Sequence, residues 1–581
     1  MKVIDYPEVL SEVSKSSLLS HLEQIAKWVR LSGSEEEARA FDYIKSKLIE
    51  YGYKVEEYRF EALIGYPKSA RLDVLSPESA VFNGITASLA PPTPKEGVLA
   101  EVVYVGRGDK YDQDVRGKIV VIDGLFNPRL AKLAEDNGAL GEVFINDDYL
   151  HEGIVSTVWG VPTPGTVKLL PKAPCLAITA QQGDKLLDLI RKGGVKARLT
   201  TDSWIGWKKI PLLTGEIKGN VEDEFVLFSG HVDSWHYGAM DNGSANSAML
   251  EVARILGRHR ELLRRGLRLA FWSGHSHGRY AGSAWYADEF WDDLYERCIA
   301  HVNIDSVGGK GATLFSAAYV MSEAKDFASK IVEHMVGERL NGVRFSRAGD
   351  QSFWGIGITS IFMSLSEQPL KALEGKKAPS FLLAPHSGGL GWWWHTAEDT
   401  IDKIDPEFLV RDTRVYLLLL LNLCTTPILP FDYRATLDEI GKSLSEAHKL
   451  AAEHLDLASL VKRADSVQRL LEEFYRNLSS VNVSDDKVVK EVNKCIKRIG
   501  RLLVPINYSK VGPFDHDLAV PLPPLPILDD VKSLAKMPKG SVEAHLLSTK
   551  LKRESNRIAY AFIEVEREVN SALERVGGKG V

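Results

Sequence analysis

Between residues 205 and 430 the chain alternates short apolar runs with longer amphipathic stretches. The runs are EFVLFSG (224–230), LRLAFWSG (267–274), CIAHVNID (298–305) and TSIFMS (359–364), and segments such as SANSAMLEVARILGRH (244–259) separate them at helical spacing. A strand that is apolar on both faces is covered on both faces. Such strands alternating with helices predict an α/β domain built on a mainly parallel sheet.

The rest of the chain divides around that region. Residues 18–50 read as helical, with Ser34 and Glu37 spaced as a capping box. A strand-rich stretch follows and is broken by APPTPKEG (90–97). Residues 96–204 read as a separate small α/β insert, carrying GKIVVIDG, NGALGEVFIND and a helix led by Gly183. Residues 1–95 and 205–430 would then form one domain around it. Residues 431–581 hold four amphipathic helical stretches that flank the proline-rich VPLPPLPIL (520–528), and read as a helical domain.

Composition narrows the function classes. A chain of 581 residues makes two to four domains at about 150 residues each. With 72 basic and 78 acidic residues, net charge −6, neither a nucleic-acid footprint nor a polybasic membrane anchor is expected. Four scattered cysteines without a CxxC exclude a disulfide scaffold and a cysteine-ligated zinc module. The most apolar run, VYLLLLLNLC (415–424), is short of the ~20 residues a bilayer requires and reads as a core helix. No targeting segment is evident in MKVIDYPEVLSEVSKSSLL, so a cytoplasmic location is expected.

Nine of the fifteen histidines lie between residues 231 and 395. Position says more than number. His231 and Asp233 follow the first apolar run, His275, Ser276 and His277 the second, and Asp305 ends the third. Ligands of open α/β sheets bind at that carboxyl edge. His231 and Asp233, two apart, would share a side of an extended chain, so that Asp233 could orient and polarise the imidazole. Asp241 follows in the turn MDNGS. His231, Asp241 and Asp305 make a three-ligand set of the kind zinc accepts, and His395 in GWWWHTAEDT is a fourth candidate.

These motifs, in this order, resemble the di-zinc metallopeptidase family that contains the bacterial zinc aminopeptidases, glutamate carboxypeptidase and the transferrin receptor. The matching positions are His231-Val-Asp233, Asp241-Asn242-Gly243-Ser244, His275-Ser276 ahead of Gly282-Ser283, Asn303-Ile304-Asp305 and His395-Thr396 with Asp399-Thr400. The insert is similar to the protease-associated domain that lids several peptidases. The resemblance implies a peptide substrate hydrolysed by metal-activated water, and two metals about 3.5 Å apart bridged by Asp241. His231 and Asp305 would complete one site and His395 would serve the other. It also implies a homodimer formed through the helical tail.

Two positions depart from that family. Its paired glutamates, the general base and a second-metal ligand, are His275 and Ser276 here. His275 is then the expected base, Ser276 is a poor ligand, and His277 is a candidate replacement. The residue before the late histidine is Trp394 in place of the tyrosine that binds the oxyanion; its indole can donate one hydrogen bond, from a different place. One tight zinc and a second, weaker divalent metal are expected. The other readings are a catalytically silent receptor-like or scaffold protein, and a non-peptidase amide hydrolase. Trp392 and Trp393 read as packing residues, with His386 near the cleft.

Overall fold

The apolar runs become the central strands of a mixed α/β molecule. The computed structural model describes residues 3–315, 318–340, 344, 349–370 and 387–577; His386 lies outside these. Twelve strands are found among the described residues: β1 Lys54–Ser76, β2 Ala80–Gly84, β3 Val98–Tyr104, β4 Ile119–Asp123, β5 Gly141–Ile145, β6 Cys175–Ile178, β7 Lys196–Ile217, β8 Phe225–His231, β9 Gly266–Trp272, β10 Cys298–Ile304, β11 Tyr319–Val320 and β12 Ser360–Met363. Their order is β11-β12-β10-β8-β9-β7-β3-β4-β5-β6, with β2 paired to β1 and β1 to β7.

Strands β12, β10, β8 and β9 run parallel. Every residue of β8, β9 and β10 is buried, which is why these segments lack polar alternation. The chain leaves β8 toward β9 on one side and returns to β10 on the other. The carboxyl end of β8 is therefore a topological switch point, where a crevice opens beyond the strand ends.

The insert is less separate than the sequence suggests. β1 and β7 pair antiparallel from Lys54 opposite Glu216 to Ser76 opposite Lys196, with an extra residue at Lys68. One end of β7 joins β9 of the main sheet, and the other joins β3 of the insert's parallel strands. The expected boundary at residues 204 and 205 falls inside β7. That strand alternates buried and exposed residues in its first half and is almost wholly buried from Ile210 to Ile217, so its pattern changes partway along an unbroken strand.

Ser34 caps the helix Glu35–Glu50 by accepting from the Glu37 backbone N–H, but the reciprocal half of the box is missing. The Glu37 carboxylate turns inward to the Gly33 N–H, where burial and the nearby Asp233 raise its pKa well above the usual range.

The helices Tyr433–Ala451, Ala458–Asn477, Asp486–Tyr508 and Val542–Gly577 pack on one another within a core continuous with the main domain. Arg501, buried, fastens them to it through the carbonyls of Leu294, Tyr295, Cys298 and Gly357. The amphipathic faces of these helices thus find partners within the chain. VYLLLLLNLC lies in the buried helix Pro406–Thr425, and no helix of the described residues is long and apolar enough to cross a membrane. The four cysteines are free and buried.

His301, on β10, is a core histidine. Its ring lies between the Ser229 and Ser360 hydroxyls, and burial lowers its pKa to about 3. An unfolded histidine titrates near 6.5. Below that pH the unfolded chain takes up a proton that the folded chain refuses, so this group's stabilisation is lost as pH falls from about 6.5 toward 3. The expected slope is ~1.4 kcal/mol per pH unit. His301→Gln should remove that slope from urea midpoints measured between pH 6.5 and 4.5; an unchanged slope refutes the assignment.

Candidate active site

The switch point gathers side chains from three strand ends and two distant loops. His231 ends β8, and its Nδ1 donates to the Asp233 backbone carbonyl (2.9 Å), so Nε2 faces the crevice. There Nε2 lies 3.1 Å from Asp241 Oδ1 and 3.5 Å from Asp305 Oδ2. The other Asp241 oxygen, Oδ2, is 3.0 Å from His395 Nε2, whose Nδ1 donates to the Glu152 carbonyl of the insert (2.8 Å). Asp241 therefore stands between two histidines, one on each oxygen.

The surroundings fix this arrangement. Asp399 accepts from the backbone N–H groups of Met240 and Asp241. Asn242 bonds the Ile304 carbonyl and the Ser306 N–H, tying the Asp241 loop to the end of β10. Arg30, fully buried, donates to carbonyls on both sides of that loop, at Val232, Tyr237 and Gly238. Burial pushes the Asp399 carboxyl up to about 7. Burial would raise Asp241 as well, but the two histidines hold it well below the ordinary carboxylate range. Burial would lower His231, but Asp305 and Asp241 hold it well above its usual value.

His231 Nε2 and Asp241 Oδ1 are buried 3.1 Å apart, and neither makes a well-aligned hydrogen bond. Buried polar atoms are rarely left so. An imidazole nitrogen and a carboxylate oxygen meeting in this way are a fitting donor pair for a dication such as zinc. Among the described residues, one set of three donor atoms converges within 4.8 Å: those of His231, His275 and Asp305.

His275 stacks on His231, ring centroids 3.7 Å apart. Its Nδ1 is 2.8 Å from Asp350 Oδ2, and Ser283 donates to the other Asp350 oxygen. The Asp350 contact places the N–H on Nδ1 and turns the Nε2 lone pair away from it, free to accept. Nothing in the sequence around Asp350 marks it; the pair joins residues 75 apart.

Two expected contacts are replaced. The Asp233 carboxylate is 3.8 Å from His231 Nδ1 and does not reach it; the Asp233 carbonyl does. β8 ends at His231, so the alternation that would align the two side chains stops there. The carboxylate instead accepts from Ser32 Oγ and from the His275 and Ser276 backbone N–H groups, and so holds the loop that carries His275. His277 stays outside the converging set. Its Nδ1 lies 3.0 Å from Ser32 Oγ, its ring packs on Tyr66 and Trp235, and burial lowers its pKa to about 4.

Trp394 stacks on His395 and lines the cavity above the site. Trp393 is in the core, and Trp392 stacks on Tyr149 of the insert. The cavity, about 290 Å3, is walled by the main domain, the insert (Leu125 to Arg129, Glu152 to Ile154) and the loop of Ala519 and Pro521.

Residues 213–420 match the model of peptidase family M28. The chain is 23% identical over 524 residues to a protein from Zea mays named a probable glutamate carboxypeptidase, covering 76% of this chain and 71% of that one. It is 25% identical over 409 residues to the aminopeptidase YwaD of Bacillus subtilis, covering 65% and 78%. Among solved structures, a peptidase M28 precursor from Shewanella amazonensis superposes with a TM-score of 0.56 at 20% identity, covering 73% of this chain and 96% of that one. A zinc aminopeptidase from Bacillus subtilis superposes at 0.54, with 21% identity and coverage of 71% and 96%. Fold, donor set and sequence likeness together define a metal-dependent peptidase. Residues 213–420 carry its likeness to peptidase family M28.

Proposed function

We propose that this metal-dependent peptidase is a zinc exopeptidase whose general base is His275. The observation that carries the reading is the orphaned pair, His231 Nε2 and Asp241 Oδ1, at the carboxyl edge of the sheet beneath a small cavity. His231, Asp305 and one Asp241 oxygen would hold the first metal; the other Asp241 oxygen and His395 would hold a second. Bound there, the metals supply an acidified water and a polarised carbonyl. His275 Nε2 takes the proton of the attacking water, with Nδ1 anchored on Asp350, and returns it to the leaving amine. Asp233 keeps the His275 loop in place, and Trp394 forms a wall for the substrate. The cavity's size, at the lower end of ordinary ligand pockets, suits one end of a peptide better than a chain passing through.

A second reading of His275 has its own observation. Its convergence with His231 and Asp305 fits a ligand of the first metal.

The second metal site offers one carboxylate oxygen and one imidazole, less negative charge than the first. Dialysed protein is expected to keep one zinc per chain and to lose the second readily, as read by elemental analysis. Two equally tight metals would contradict this. Short peptides with free ends should be cleaved at a terminal bond, whereas internal cleavage of a peptide blocked at both ends would overturn exopeptidase action. A two-fold dimer through the helical domain belongs to the same proposal; it should sediment near twice 64.5 kDa.

A further inference from the structure

Two ionisable side chains in the cavity walls are poorly paired: Arg279 has no carboxylate within 4.0 Å among the described residues, and Glu152 has His236 at the limit of salt-bridge range. Arg279 is buried, 9% exposed, and its Nε makes no hydrogen bond. Its remaining contacts are two long hydrogen bonds at 3.3 Å, to the Tyr280 hydroxyl and the Ala519 carbonyl, and a cation–π contact 4.8 Å from the Tyr280 ring centroid. A buried guanidinium left without an anion is costly. The backbone beneath it is strained as well: Arg279 and Tyr280 take successive positive φ values of 51° and 68°. Such strain gathers at ligand sites.

Glu152 is the counterpart of opposite sign. Its carbonyl holds His395, its Oε2 is buried without a hydrogen bond, and its Oε1 is 4.0 Å from His236 Nε2.

The two lie on different sides of the donor cluster. The Tyr280 ring meets His275 edge-on at 4.8 Å, placing Arg279 on the His275 side. Glu152 touches His395 and so belongs to the other side. Asp241, between His231 and His395, occupies the middle.

Resting on the peptidase reading, we propose that the cavity recognises both ends of a short peptide, and that the protein is a dipeptidase. The substrate's carboxylate sits on Arg279 and its ammonium on Glu152, which brings the single peptide bond between them over Asp241. Arginine suits the carboxylate because its planar fork matches two oxygens. A longer chain would carry one of its charges out of the cavity and leave Arg279 or Glu152 buried and unmet.

The test uses zinc-loaded full-length protein and a panel of dipeptides, each free, N-acetylated, C-amidated and doubly blocked. Free dipeptides should be hydrolysed with a kcat/KM at least 10-fold above the tetrapeptides that contain them. Arg279→Met should lower kcat/KM for free dipeptides about 10- to 100-fold, the range of a charge-assisted hydrogen bond, and leave C-amidated ones unchanged. Glu152→Gln should do the same for free dipeptides and leave N-acetylated ones unchanged. Arg279→Lys, which keeps the charge, should recover part of the loss. Equal losses on free and blocked substrates would show a structural role and overturn the proposal, as would tetrapeptides cleaved as well as dipeptides. If the loaded wild-type protein cleaves nothing, the peptidase reading fails. Calorimetry then decides the recognition separately: free dipeptide should bind at least 10-fold more tightly than either blocked form, and equal binding overturns it.

Discussion

Asp241→Asn is expected to strip the protein of both metals and to lower peptide hydrolysis by roughly 10³-fold or more. Among the described residues, Asp241 is the one carboxylate within 4.0 Å of His231 through one oxygen and of His395 through the other. Asparagine keeps the shape but offers a single weak acceptor and an NH2, which would point at one of the two histidine nitrogens. Metal catalysis contributes several kcal/mol of transition-state stabilisation, and each 1.36 kcal/mol is tenfold in rate. The surrounding loop should survive, because Asp399, Asn242 and Arg30 hold it through backbone groups that the substitution leaves alone. Elemental analysis beside a thermal melt separates the outcomes. Intact folding with no bound zinc is expected, and retained zinc with retained activity would remove Asp241 from the site.

His275→Gln should cut hydrolysis by 10²-fold or more while zinc content stays at the wild-type level. Glutamine can still hydrogen-bond Asp350, so the loop keeps its anchor, but it cannot take a proton. The loss is the size expected of a positioned base. Were zinc to leave together with activity, His275 would be a ligand, and its convergence with His231 and Asp305 would be the reason. The stacking of the two rings makes the experiment necessary, since an imidazole 3.7 Å from a ligand histidine is placed for either role.

The parts of this site that the sequence reveals are those at the ends of buried parallel strands. Such strands must be apolar throughout, so the first polar residue at or beyond the end of each one stands out, as His231, His275 and Asp305 do. Asp241 and His395 came with the motif order rather than from any strand. Strand geometry does not carry past a strand's end. Asp233 lies two residues from His231, but β8 has already stopped, and its carboxylate turns to the His275 loop. His277 lies two residues from His275 in a turn that sends it behind Trp235. Asp350, Arg30, Glu152 and Arg279 carry no local signal, because each acts through a partner or cavity assembled by tertiary folding. The insert boundary expected at 204 and 205 falls within β7 because that strand changes from half-buried to fully buried along one uninterrupted run.

That strand bears on how such a protein can be rebuilt. Because β1 and β7 run as one ribbon from the main sheet into the insert, the insert has no free ends by which to be lifted out. Deleting residues 96–204 would remove the far half of β7 and leave the facing half of β1 as a bare, sticky edge. An exchange of this segment between relatives would have to cut both strands at the same rung. The extra residue at Lys68, opposite the step from Asp202 to Ser203, is the one place along the middle of the ribbon where the ladder already changes register. A chimera joined there carries Glu152 and the wall from Leu125 to Arg129 together, so the piece inherited as a unit brings one whole wall of the cavity with it.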